Sequence, residues 1–136
     1  MKNKILLTKE KHIQYWQNQV LNDVDCAKVL QSAEHFAQSL FWAHLCVEKS
    51  LKALWVKNNA ENTPPFVHNL LRLAIATNEN FSENQLEYFN EMNIFQIKGR
   101  YPDYADNLDK IVTSEVCNEY ITKTQEILQC LQEKLL

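Results

Sequence analysis

The chain has 136 residues, 46% of them hydrophobic and 10% aromatic, with one glycine and three prolines. Primed hairpin turns depend on glycine or Asn-Gly pairs, so a β-sandwich or barrel is excluded, and one glycine cannot write either glycine-rich phosphate loop. Fourteen Lys+Arg against 17 Asp+Glu give a net charge of −3, which excludes a basic nucleic-acid-binding surface in bulk and leaves room only for a local patch.

Apolar spacing predicts five helical segments within a single domain over 1–136. The first runs from about Thr8 to Gln31, with Ile13, Trp16, Val20, Val24 and Ala27 on one face. The second, from about Ala33 to Lys57, carries a main stripe of Phe36, Leu40, Ala43, Val47, Leu51 and Leu54. Phe41, Trp42 and Leu45 form a second apolar group on its far side, the mark of a central helix or of one that also meets a partner. Asn58 to Pro65 is a loop, because two consecutive prolines cannot continue a helix. A short third helix follows from about Val67 to Thr77, and Asn78 to Phe81 is a turn. Ser82 and Gln85 have the spacing of a capping box, opening a fourth helix with Leu86, Phe89, Met92, Phe95 and Ile97. Pro102 disfavours helix at Tyr101, so Lys98 to Tyr104 reads as a solvent-facing loop. The last helix runs from about Ser114 to Leu136.

Cys26, Cys46, Cys117 and Cys130 lie far apart without a C-x-x-C pair, and read as reduced, buried thiols of a cytoplasmic protein. No stretch approaches the ~18 apolar residues of a membrane span, and the N-terminal apolar run is too short for a signal peptide.

Three places carry candidate chemistry. His44 and Glu48 are four apart on the second helix, followed by Lys52. That spacing fits a general base with its orienting carboxylate, and it fits equally a half-buried histidine hydrogen-bonded to Glu48. Glu48 and Lys52 also make an ordinary helix pair. His68 opens the third helix, where it either caps or staples the helix start or faces the second helix. Without an H-E-x-x-H or Cys/His spacing, neither a metal site nor a cofactor is expected. The third place is Lys98-Gly99-Arg100-Tyr101-Pro102-Asp103-Tyr104, which gathers residue types that grip phosphates and stack on bases. Its alternative is a helix-ending turn with Arg100 paired to Asp103 or Asp106.

Three stretches in order give the chain a resemblance to HEPN domains (higher eukaryotes and prokaryotes nucleotide-binding). They are Ala43-His44 through Glu48-Lys49 to Lys52-Ala-Leu, then Pro64-Pro65-Phe-Val-His68-Asn-Leu70, then Gly99-Arg100-Tyr101-Pro102-Asp103. The resemblance covers roughly residues 10 to 130 and implies an all-α, four- to five-helix up-and-down bundle, usually a homodimer. It also implies a nucleotide or RNA ligand, or a nucleotidyltransferase partner. The RNase toxins of the family carry an R-x4-6-H motif. Arg100 matches its arginine, but Ala105, Asp106 and Asn107 stand where its histidine belongs. The expectation is therefore a non-catalytic domain, with an RNase toxin and a purely structural interaction module as rivals. Lys98 and Arg100 would hold phosphate, and Tyr101 or Tyr104 would stack on a base beside Asp103. His44, Glu48, Lys52 and His68 would line the groove.

Overall fold

A computed structural model describes residues 8–97 and 102–136. Its elements are α1 (Lys9–Ser32), α2 (Phe36–Asn58), α3 (Leu70–Ala76), α4 (Glu83–Met92), a 3-10 segment (Asn93–Ile97), α5 (Pro102–Ile111) and α6 (Ser114–Leu135). Every regular element among the described residues is helical, as the composition requires.

Side-chain caps set several of the helix starts. Thr8 Oγ1 accepts from Lys11 N at 3.2 Å, and Thr113 Oγ1 accepts from Val116 N at 3.2 Å. Ser82 and Gln85 form the expected capping box, with both reciprocal bonds made. With glycine so scarce, the chain turns between α1 and α2 through Glu34 at φ 65, a left-handed conformation that costs a side-chain-bearing residue about 1–2 kcal/mol.

Ordinary up-and-down packing follows from the side-chain bridges. Gln17 bonds Gln132 and Gln31 bonds Asn118, so α1 and α6 run antiparallel. Gln85 reaches Cys130 and Tyr120 reaches Glu91, so α4 and α6 are antiparallel as well. α2 packs against α1, α3, α5, α6 and the 3-10 segment, and is the hub of the bundle. Its Leu40, Val47, Leu51 and Leu54 are fully buried, meeting Leu70 and Leu73 of α3, Phe89 and Met92 of α4, and Leu131 of α6 in one core. Ser39 Oγ donates to Ala27 O at 2.7 Å, satisfying a buried hydroxyl where α2 crosses α1.

Two sequence expectations change here. An additional α-helix, α5, begins at Pro102, where a loop reaching Tyr104 was expected. Proline breaks a helix interior but is well suited to the first helical position, where its missing N–H has no partner to lose. Of the thiols, all free, only Cys46 and Cys117 are buried, while Cys26 and Cys130 are half-buried. No helix among the described residues is long and apolar enough to cross a membrane.

Candidate functional site

Glu48 lies in the middle of α2 with 4% of its surface exposed. A carboxylate so placed has lost its water and must be compensated by its neighbours. Lys52, one turn on, brings its Nζ to 3.2 Å from Oε2. His68 comes from the loop before α3 and sets Nδ1 at 3.1 Å from Oε1. An ionised carboxylate only accepts, so this contact makes Nδ1 the protonated nitrogen. Lys52 is itself buried, with Nζ 5.3 Å from the centroid of the Trp16 ring of α1. Its charge is thus shared between a carboxylate and an aromatic face.

His44 completes the cluster from one turn before Glu48, yet departs from the expected half-buried, hydrogen-bonded histidine. It is wholly buried, its Nδ1 stands 4.0 Å from Glu48 Oε1, and neither ring nitrogen has a hydrogen-bond partner. The Asn93 side chain and the His68 backbone lie near the ring without reaching hydrogen-bonding geometry. Burial lowers its pKa to about 4, outweighing the attraction of Glu48, so the ring is neutral at pH 7.

His68 also departs from its preferred reading. The helix cap is its neighbour Asn69, whose Oδ1 accepts from Arg72 N at 3.0 Å, and His68 is released to reach Glu48. The loop from 59 to 69 is fixed along its length. Lys9 Nζ donates to Val56 O, Asn59 O and Asn62 Oδ1, Pro64 is buried, and Leu70 N donates to Asn93 Oδ1 at 2.8 Å.

Of the expected site residues, the structure brings His44, Glu48, Lys52 and His68 together. Only His68 reaches the surface, with 51% of its side chain exposed. Lys98, Arg100 and Tyr101 lie outside the described residues, and Asp103 and Tyr104 are placed only as backbone in the first turn of α5. Asp23 and Asn93 were missed. Asp23 is buried on α1 and pairs with Lys49 at 2.8 Å. Its signal was present, because it sits between Val20 and Ala27 on the apolar face. Asn93 had none, since its bond to Leu70 N joins the end of α4 to the start of α3.

A family model for the HEPN domain matches residues 13–135. No curated protein and no solved structure matches the chain significantly. The match takes in the central helix with Glu48, the loop that delivers His68 and the segment around Arg100, and by it the chain belongs to the HEPN domain family.

Proposed function

We propose that this HEPN domain binds the phosphate of a nucleotide or an RNA without cleaving it, acting as a homodimer. The observation that supports this reading is the Glu48–Lys52–His68 cluster, a buried charged assembly that presents one oriented imidazole to solvent. Glu48 is already neutralised by Lys52, so its second oxygen serves to hold His68. The 3-10 segment that packs on α2 ends at Ile97, and α5 resumes at Pro102. On this reading Lys98 and Arg100 supply the phosphate-binding charge, with Tyr101 or Tyr104 stacking on a base. RNA is held intact because Ala105, Asp106 and Asn107 offer no imidazole for general acid–base work after Arg100.

Calorimetry with ATP, GTP, UTP and short RNAs tests the ligand. Saturable binding that weakens with salt and is lost in Arg100→Ala is the expected result. Wild-type protein that binds none of them, or an Arg100→Ala variant that binds equally well, refutes the reading.

For the dimer, the support is apolar surface on α1 and α2. Leu21 and Val29 are exposed on the side of α1 away from buried Asp23 and Ala27, and Phe41, Trp42 and Leu45 are only half-buried on α2. Sedimentation at micromolar concentration should give a dimer, and a monomer would remove it. A nucleotidyltransferase is the partner protein proposed for the same domain, tested by co-purification of the two chains.

A further inference from the structure

The proline-led loop before α3 has a feature that the phosphate reading does not use. Phe66 is 93% exposed, the most exposed of the large hydrophobic side chains described. It stands at the centre of a three-residue turn closed by Val67 N donating to Pro65 O at 2.9 Å. That turn is anchored on both sides, by buried Pro64 before it and by His68 on Glu48 after it. Farther out, Lys9 holds Asn59 and Asn62, and Asn69 caps α3. A loop so fixed has already lost the backbone freedom that binding would otherwise remove, and still holds an aromatic ring in water.

From this geometry we infer that Phe66 is a base-stacking platform of the ligand site, receiving one nucleobase on its ring face next to His68. The inference rests on the phosphate-binding reading above and adds to it, beyond the Tyr101 or Tyr104 it sets beside a base, a stacking ring on the anchored loop. Stacking suits this surface better than a protein contact. Along the loop Phe66 has exposed polar residues to either side, Glu61 and Thr63 before it and His68 after it, while the flanking Pro65 and Val67 are half-buried. One exposed ring on a short loop supplies little of the roughly 1,000 Å² of a stable protein interface, but it matches the face of a single base. Because a phenyl ring stacks on any base, the site discriminates weakly among bases unless polar neighbours add contacts.

The test uses the full chain and fluorescently labelled octamers of oligo(A) and oligo(U), read by anisotropy. Phe66→Ala is expected to weaken binding about tenfold. Phe66→Trp should retain or improve it, whereas Phe66→Leu, which keeps the apolar bulk and loses the ring, should behave like the alanine variant. The position is solvent-exposed, so these variants should melt with the wild type, and circular dichroism checks that they do. If the wild type binds and Phe66→Ala binds as tightly, the stacking platform is wrong while the phosphate reading stands. If Phe66→Leu matches the wild type, the ring is an apolar anchor and stacking is refuted. A wild type that binds no oligonucleotide and no mononucleotide removes both.

Discussion

Glu48 and Lys49 are neighbours in α2, yet they enter two different buried ion clusters. Lys49 pairs with Asp23 at 2.8 Å and with Gln19 Oε1 at 3.3 Å, joining α2 to α1. Both partners lie on long helices packed against each other, and the pair spans the seam between them. Glu48 divides its oxygens between Lys52 on its own helix and His68 on a loop. One arm of that cluster is buried and the other reaches solvent. A buried ion pair seldom earns its desolvation cost in stability. The closed pair therefore reads as registration between two helices, and the open one as a device for holding His68.

Removing the carboxylate of the open cluster should have the largest effect. Glu48→Ala leaves Lys52 buried without its counter-ion and is expected to cost about 3–5 kcal/mol in urea unfolding. The double variant Glu48→Leu/Lys52→Met removes both charges at similar volume and should recover most of that loss. Recovery of stability without recovery of ligand binding would separate the cluster's function from its contribution to the fold. A double variant as unstable as the single one would show that the pair itself holds the bundle together.

Acid should act on the same cluster through His44. Its folded pKa of about 4 lies below the ordinary 6.5, so the unfolded chain takes up the proton first as pH falls. Stability owed to the neutral ring is complete above pH 6.5 and is lost progressively down to pH 4, amounting to about 3 kcal/mol. Denaturant midpoints for the wild type and His44→Gln across that range check this, because the variant should lose less between the two pH values. The Asp23–Lys49 pair contains no histidine, so this contribution belongs to the Glu48 cluster.

How much of this was legible in the sequence depends on the range of the interaction that decides it. The 3.6-residue spacing of Leu40, Val47, Leu51 and Leu54 and the Ser82/Gln85 capping box are local, and both were readable. The start of α5 was misread because proline carries opposite meanings inside a helix and at its first position, and Tyr101-Pro102 alone does not say which applies. The pairing of Glu48 with His68 spans 20 residues and depends on the path of the loop between them, which Lys9 fixes from the far end of α1. No spacing rule reaches that far. Phe66 was legible as a residue but not as an exposed one, since exposure is decided by where the anchored loop turns it.

A smaller loss is expected at Asp23. Asp23→Ala strands Lys49, but 18% of that side chain is exposed, so its ammonium can reach water and keep Gln19. About 1–2 kcal/mol of stability should go, less than for Glu48→Ala, because the remaining charge is not trapped. Equal losses at the two positions would erase the distinction between the closed and the open cluster.

The smallest effect should follow from His68→Ala, and it is the most informative. The side chain is half in solvent and makes one bond to Glu48, so its removal should cost no more than about 1 kcal/mol. Lys52 still compensates the carboxylate, and the core beneath is untouched. What changes is the loop, which loses its hold on α2 between Pro65 and Asn69. Amide exchange there should quicken, while the amides of α2 around Leu51 keep their protection. If the open cluster exists to fix that loop, His68→Ala should weaken oligonucleotide binding more than its stability cost explains, and Phe66→Ala added to it should have less effect than in the wild type, since a platform already loosened has less to lose. Simple additivity of the two would mean that His68 and Phe66 act on the ligand independently, and the carboxylate beneath them would then have no part in positioning the ring.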